Sequence, residues 1–191
     1  RLAGFSEKYG TIVICGGFYE NDGLEYNALF MFDNGKVSDT VYKKRTLVPF
    51  GEYIPFEDLL TSAFKDLENF NLRGSYLSPG NSSEVFDSSI GKLGGIICYD
   101  SIFYYNSSES VREGAEIIVL STNDSWYNDS AAAFQHYAHS VFRSVENRKF
   151  VIRAATTGIS GIIDSFGRTL KSSELLKKSV ICGTAYLNDK I

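Results

Sequence analysis

The feature that most constrains the fold is a short apolar run that ends on a cysteine. Gly94 and Gly95 precede two isoleucines, and Cys98 follows them directly. A run of this length, bounded by glycines, is typical of a buried strand. In an α/β sheet, reactive groups lie beyond the carboxyl ends of the strands. The run therefore predicts a buried strand that presents the Cys98 thiol at one edge of a sheet.

Strand-like and helix-like segments alternate along the rest of the chain. The patterns predict strands at 11–18, 26–32, 37–42, 117–121, 150–154, 161–164 and 180–183, and helices at 1–9, 107–113 and 131–147. Residues 21–23 and 33–35 predict tight turns, and Val85, Phe86 and Ile90 flank a short hairpin. Alternation of this kind predicts the α/β class.

The segment 56–80 is a long connection between predicted strands. Its apolar residues Leu59, Leu60 and Phe64 follow helical spacing. A connection of this length in a compact domain is often a functional lid. These side chains are expected to form either the core of such a lid or a patch that faces a membrane.

Composition excludes several classes of protein. The chain has 191 residues, which is enough for one domain with a real core, and its net charge of −4 argues against a nucleic-acid surface. Its three cysteines have no regular spacing and predict no disulfide framework. Cys15 and Cys182 lie in apolar runs and are expected to be small buried hydrophobic residues. With no CxxC or HExxH motif, and with two histidines three positions apart on a predicted helix, no metal site is expected.

A second segment supplies the other groups that thiol chemistry needs. Lys44 and Glu52 lie eight positions apart, far upstream of Cys98. A thiol, an ammonium group and a carboxylate are the parts required for acyl transfer through a thioester. Two simpler interpretations stay open here: Lys44 belongs to a solvated basic cluster with its neighbours, and Glu52 makes a surface ion pair.

Several motifs follow one another in a recognisable order. They are Tyr42-x-Lys44-x-x-Leu47-Val48-Pro49-Phe50-Gly51-Glu52-Tyr53-x-Pro55, Ile97-Cys98-Tyr99, Asn123-Asp124-Ser125-Trp126-Tyr127, Gln135-His136, Phe142-Arg143-x-Val145-Glu146-Asn147, Ile152-Arg153-Ala154 and Thr157-Gly158-Ile159-Ser160. Together they resemble the nitrilase-like (carbon–nitrogen hydrolase) catalytic domain of the apolipoprotein N-acyltransferase family. The resemblance spans nearly the whole chain and implies an α/β fold, a nitrilase-like α-β-β-α sandwich.

The resemblance also implies site residues. Cys98 corresponds to the nucleophile, Lys44 to the lysine of a Glu-Lys-Cys triad, and Glu52 to a second functional carboxylate. The triad glutamate, the general base, belongs to a Pro-Glu motif upstream of residue 1. Residues 1–191 are therefore expected to be a single catalytic domain, a fragment that lacks its first strand and any transmembrane segments and is inactive alone. The resemblance further implies a substrate pocket or site support formed by Tyr99, Asp100, Asn123, Trp126 and Tyr127.

The implied reaction moves a fatty acyl chain from a phospholipid, through a Cys98 thioester, to the N-terminal amine of a diacylglyceryl-cysteine lipoprotein. No cofactor is implied. The implied partners are the phospholipid acyl donor, the lipoprotein acceptor and a membrane reached through segments outside this chain. The implied location is the bacterial inner membrane, with the catalytic domain facing the periplasm. The oligomeric state stays open.

Two positions depart from the family pattern. Asp100 stands where the family usually has glutamate, and Thr156 stands where it usually has asparagine. Amidases of the wider superfamily often have aspartate at the position of Asp100, so a soluble amidase is the first alternative. A catalytically inactive nitrilase-like module is the second.

Overall fold

The computed structural model describes residues 1–56 and 77–190. Its α-helices there are α1 (Leu2–Tyr9), α2 (Tyr104–Arg112) and α3 (Ala131–Asn147). Its strands there are β1 (Val13–Asn21), β2 (Leu24–Asp33), β3 (Lys36–Lys43), β4 (Val85–Ser88), β5 (Gly91–Ile97), β6 (Ile117–Asn123), β7 (Val151–Thr156), β8 (Gly161–Ile163) and β9 (Thr169–Ser172). A 3-10 helix at Cys98–Ile102 follows β5.

The strands form two sheets. Strands β1, β2 and β3 make an antiparallel three-stranded sheet. The second sheet has six strands in the order β4-β5-β6-β7-β8-β9. Its central strands β5, β6 and β7 run parallel, and its outer strands pair antiparallel.

The two sheets pack face to face, and alternate residues of β5 show how. Leu93 and Ile97 belong to the core between the sheets, with Leu29 of β2. Ile96 points the other way, into a second core beneath the helices. A Cβ atom at Gly95 would lie 3.0 Å from Cδ1 of Leu29, so glycine permits the close approach of the sheets there. Burial on both faces explains why the strand is apolar from Leu93 to Ile97.

Helices cover both outer faces of the sandwich. Helix α1 packs on β2 and β3, and α2 and α3 pack on the six-stranded sheet. Helix α1 ends where Gly10 adopts a left-handed conformation, φ 55°. The predicted α/β class and the predicted α-β-β-α order of layers are therefore confirmed.

Three predictions of local structure need correction. Residues 180–183 form no strand: Val180 is 90% exposed, and Ile181 packs against the core between the sheets without joining a ladder. Within the described residues the last strand is instead β9, which is exposed along its length. Cys182 is exposed rather than buried, and Cys15 is half-buried. The predicted helix at 107–113 begins earlier, at Tyr104.

The predicted lid lies outside the described residues. Leu59, Leu60 and Phe64 belong to the segment 57–76, so their role stays a prediction. Among the helices that the structure does describe, none combines the length and the apolar character needed to cross a membrane.

Candidate active site

The parallel strands of the large sheet direct several polar residues to one edge. Cys98 follows β5, Asp124 follows β6 and Thr157 follows β7. Since the three strands run parallel and pair in register, their carboxyl ends meet at the same edge. Reactive groups in α/β sheets lie at such an edge.

Cys98 occupies a strained turn between β5 and the 3-10 helix. Its φ is 48°, in the left-handed region that a residue with a side chain rarely adopts. This conformation costs about 1–2 kcal/mol. It persists only where surrounding contacts hold it, and such residues cluster at functional sites. A cysteine on a sharp strand-to-helix turn has the local geometry of an exposed nucleophile.

Asp100 holds the turn from the side of the small sheet. Its buried carboxylate accepts hydrogen bonds from the Tyr42 hydroxyl at 2.8 Å, the Thr46 N–H at 2.7 Å and the Ile97 N–H at 3.1 Å. Burial raises the pKa of Asp100, and these hydrogen bonds act in the opposite direction. Asp100 therefore joins the turn after β5 to the end of β3.

Lys44 lies directly after β3 and is 1% exposed, which excludes a solvated basic cluster. Its Nζ lies 2.7 Å from Oε1 and 2.6 Å from Oε2 of Glu52. Glu52 also accepts a 2.7 Å hydrogen bond from the Val48 N–H, which orients the carboxylate. Lys44 stands between Tyr42 and Thr46, both of which contact the turn that carries Cys98. The structure thus places the Lys44–Glu52 pair beside this turn.

A second buried charge cluster lies on the other side of Cys98. Oδ1 of Asp124 is 2.9 Å from Nδ1 of His136, and Oδ2 accepts a 2.6 Å hydrogen bond from Nη2 of Arg153. The other ring nitrogen of His136, Nε2, lies 3.1 Å from the carbonyl oxygen of Cys98. Burial favours a higher pKa for Asp124, but the hydrogen bond from His136 and the charge of Arg153 outweigh it and lower this pKa.

These residues could be taken for metal ligands. The donor atoms of Cys98, Asp124 and His136 lie within 4.8 Å of one another. Asp124, however, already pairs with the Arg153 guanidinium, whose positive charge opposes a second cation. Both nitrogens of His136 also have oxygen partners. The donor set therefore fits a hydrogen-bonded ion cluster better than a metal centre, and the expectation of no metal site stays a prediction.

The remaining predicted residues differ in how they relate to Cys98. Tyr127 is half-buried, with its ring 5.3 Å from that of His136; burial and the nearby Cys98 raise its pKa. Tyr99 is also half-buried and its ring contacts Phe103 at 5.4 Å. Asn123 is exposed at the end of β6, and Trp126 is 72% exposed. Their roles in a substrate pocket stay predictions.

The sequence patterns place Asp124, His136 and Arg153 in motifs without assigning them to the site. One feature of the sequence does point to a buried charge cluster. Arg153 lies within an apolar strand, and a charge in that position needs a buried partner. The strand alone does not identify that partner, because Asp124 lies on a different element.

Comparison with known proteins agrees with the fold described above and identifies the family. Residues 1–188 match the family model described as carbon–nitrogen hydrolase. A protein named apolipoprotein N-acyltransferase from Geobacter metallireducens is 36% identical over 197 residues, which cover 99% of this chain and 36% of that protein. A protein of the same name from Rickettsia typhi is 37% identical over 189 residues, 96% of this chain and 37% of that protein.

Solved structures give the same fold at lower identity. Saccharomyces cerevisiae Nit3, a member of branch 10 of the nitrilase superfamily, superposes with a TM-score of 0.71 at 20% identity, over 93% of this chain and 60% of that one. A carbon–nitrogen hydrolase from Helicobacter pylori G27 gives 0.70 at 17% identity, over 93% and 63%. The chain spans about a third of the length of the curated relatives named above. By the match over residues 1–188, the chain belongs to the carbon–nitrogen hydrolase family.

Proposed function

We propose that this chain is the catalytic domain of an enzyme that transfers a fatty acyl group from a phospholipid to the N-terminal amine of a diacylglyceryl-cysteine lipoprotein. Cys98 carries the acyl group as a thioester between the two steps. Lys44 and Glu52 complete the part of the site that lies in this chain. By the family resemblance, the general base is a glutamate upstream of Arg1.

The observation that carries the chemistry is the position of Cys98. It occupies a strained turn at the edge of the large sheet, with buried charged groups on both sides. Such an arrangement presents a thiol to a substrate and supplies positive charge nearby. The substrate class is supported by the relatives at 36% and 37% identity, which bear the name apolipoprotein N-acyltransferase.

The reaction would proceed in two half-reactions. The base takes the thiol proton, Cys98 Sγ attacks the ester carbonyl carbon of the phospholipid, and the proton passes to the lysophospholipid oxygen as the ester bond breaks. The lipoprotein amine then attacks the thioester carbonyl carbon, the C–S bond breaks as the amide forms, and the amine proton passes through the base to Cys98 Sγ. Lys44 would stabilise the oxyanion of each tetrahedral intermediate, an effect worth about 3–4 kcal/mol per donor in acyl-transfer enzymes. Glu52 holds Lys44 in place.

Exposed aromatic residues near Lys44 support a lipid donor. Phe50 is 77% exposed and Phe56 is 79% exposed, on the loop that follows Lys44. Exposed apolar side chains mark contacts with proteins or membranes where they cluster into one patch. A membrane-anchored enzyme whose catalytic domain faces the periplasm would place these residues where the acyl donor arrives.

A soluble amidase is the second candidate. Asp100 follows the Cys98-Tyr99 pair, as it often does in amidases, and an amidase from Nesterenkonia superposes with a TM-score of 0.67 at 18% identity. The same thiol would then attack an amide, and water rather than an amine would release the acyl group.

One experiment separates the candidates. The full-length protein that carries this chain is incubated with a phospholipid bearing a labelled acyl chain and with a diacylglyceryl-cysteine peptide. A parallel reaction contains small primary amides instead. A gain of one acyl group on the peptide amine, lost in a Cys98→Ser variant, is expected. Amide hydrolysis without acyl transfer would favour the amidase, and neither reaction in a folded protein would favour an inactive module.

A further inference from the structure

We propose that His136 is a positioning residue for Cys98: its Nε2–H holds the carbonyl oxygen of Cys98 and keeps the thiol aimed at the substrate. The inference deepens the proposed function and rests on it for the role of Cys98 as nucleophile. His136 is 2% exposed on α3, beneath the turn.

The surroundings of Nε2 indicate that this nitrogen carries a hydrogen. Nε2 lies 3.1 Å from the carbonyl oxygen of Cys98 and 3.2 Å from Oγ of Ser101. The Ser101 hydroxyl donates its own hydrogen to the same carbonyl oxygen at 2.7 Å. A carbonyl oxygen only accepts hydrogen bonds, so Nε2 is the donor in its contact with Cys98.

The opposite side of the ring is fixed by a carboxylate that is itself held by a guanidinium group. Nδ1 lies 2.9 Å from Oδ1 of Asp124, and Oδ2 of Asp124 accepts a 2.6 Å hydrogen bond from Nη2 of Arg153. Arg153 is itself held by the hydroxyl of Ser140 at 3.0 Å and the carbonyl oxygen of Ile159 at 3.0 Å. With both ends restrained, the imidazole has little freedom to rotate away from Cys98.

This contact completes a clamp around a strained residue. Asp100 holds the N–H of Ile97, just before Cys98, and His136 with Ser101 holds the carbonyl oxygen of Cys98 itself. A left-handed cysteine persists only where its surroundings determine it from both sides. Loss of the donor at Nε2 should therefore let the turn relax and move the thiol out of position.

The test compares two substitutions of similar polarity. His136→Asn places its amide near the position of Nδ1, so it keeps a partner for Asp124 but does not reach Cys98. His136→Gln places its amide near the position of Nε2, so it keeps a donor for the carbonyl oxygen of Cys98. A purely structural role would make both variants behave alike, whereas a positioning role separates them.

The readout is the alkylation rate of Cys98 by iodoacetamide in the full-length protein, measured on peptides by mass spectrometry. The exposed Cys182 is the internal reference thiol, and half-buried Cys15 reports loss of folding. His139→Gln is the matched control on the same helix, because the ring of His139 packs near Phe142 rather than against the turn. Thermal unfolding is followed for every variant.

We expect the His136→Asn variant to alkylate Cys98 about tenfold more slowly relative to Cys182, since small misplacement of a reacting group is costly. The His136→Gln and His139→Gln variants should stay within about threefold of the parent. His136→Met, of similar volume and without a donor, replaces the Asn variant if that one does not fold, and should be slow too. Equal alkylation rates of Cys98 in a folded His136→Gln variant and in a folded His136→Asn or His136→Met variant would overturn the proposal.

The outcome is separable from that of the proposed function, because alkylation needs no acyl donor. Slow alkylation of Cys98 in the His136→Asn variant, with fast alkylation in His136→Gln, would support positioning even if the parent forms no thioester with phospholipid. The missing thioester would then remove the acyltransferase proposal alone. Thioester formation in the parent, combined with no difference between the variants, would remove the positioning role alone.

Discussion

The Tyr42 hydroxyl donates a 2.8 Å hydrogen bond to Oδ2 of Asp100 and so joins the two sheets at the candidate site. Both side chains are fully buried. Tyr42 lies two residues before Lys44, and Asp100 lies two residues after Cys98. One hydrogen bond therefore links the segment that carries the candidate lysine to the turn that carries the candidate nucleophile. Burial, with Asp100 nearby, raises the pKa of Tyr42 well above its ordinary value, so the hydroxyl keeps its proton.

A Tyr42→Phe substitution should lower the free energy of unfolding by about 1–3 kcal/mol, because it leaves a buried carboxylate with one partner fewer. Urea denaturation measures the change. Tyr105→Phe is the matched control, since its hydroxyl makes a longer, 3.3 Å contact with Thr46 in a partly exposed site. Equal losses in the two variants would contradict a special role for the Tyr42–Asp100 bond.

The ion pairs of the neighbouring residues Lys44 and Arg45 should differ in how much they stabilise the fold. Lys44–Glu52 is 1% and 13% exposed, whereas Arg45–Glu109 is 16% and 37% exposed. Breaking a buried pair costs about 3–5 kcal/mol, because one charge is left without a partner. An exposed pair contributes about 0.2–1 kcal/mol. In chemical denaturation, Glu52→Gln should therefore destabilise the fold far more than Glu109→Gln, and similar effects would show that Lys44 does not depend on Glu52.

Gly158 should not tolerate a side chain. A Cβ there would lie 2.1 Å from Oδ2 of Asp124, the atom that binds Arg153. Gly158→Ala should displace Asp124 and cost about 3 kcal/mol of stability, at the upper end of ordinary overpacking. Gly4→Ala, in open space on α1, should instead be stabilising by about 1 kcal/mol. Thermal unfolding of the two variants gives the comparison, and a neutral Gly158→Ala would contradict the described packing of Asp124.

Asp124 should make the fold sensitive to acid. Its folded pKa is lowered from the ordinary value of 3.8, so the unfolded chain binds the proton more readily. The stabilisation is therefore complete above the ordinary pKa and is lost as pH falls through the folded one. The pKa of Asp100 is raised, so its contribution to the pH dependence of stability has the opposite sign. The parent and the Asp124→Asn variant share this contribution.

Urea unfolding at a series of pH values between 6 and 3 checks this. The parent should lose more stability over this interval than Asp124→Asn, which has no carboxyl to protonate. Parallel curves for the two proteins would show that Asp124 has the same pKa in the folded and unfolded states.

Much of the fold could be predicted because the signals are local. The glycine-bounded run before Cys98 predicts β5, and Gly10 and Gly167 mark a helix end and a turn, each with a positive φ. Strand β9 escapes such prediction, because an exposed edge strand needs no apolar pattern. Residues 180–183 mislead for the opposite reason: Ile181 is apolar because it packs against the core, not because it pairs in a sheet.

The candidate site also has one part that local motifs predict and another part that they do not. The motifs around Cys98, Lys44 and Glu52 predict these residues, and the structure places the Lys44–Glu52 pair beside the turn. Asp124 and Arg153 meet only because β6 and β7 pair in parallel, a contact between residues far apart in the chain. No local pattern carries that information, so the cluster beneath Cys98 becomes visible only in the folded structure.

The most direct test of Cys98 as the acyl carrier is the intact mass of the full-length protein after incubation with phospholipid. We expect the mass of one fatty acyl group to be added at Cys98, to be removed by hydroxylamine as a thioester is, and to be missing in a Cys98→Ala variant. An acyl group on Cys15 or Cys182, or no adduct on a folded protein in a phospholipid bilayer, would contradict the assignment of Cys98 as the acyl-carrying nucleophile.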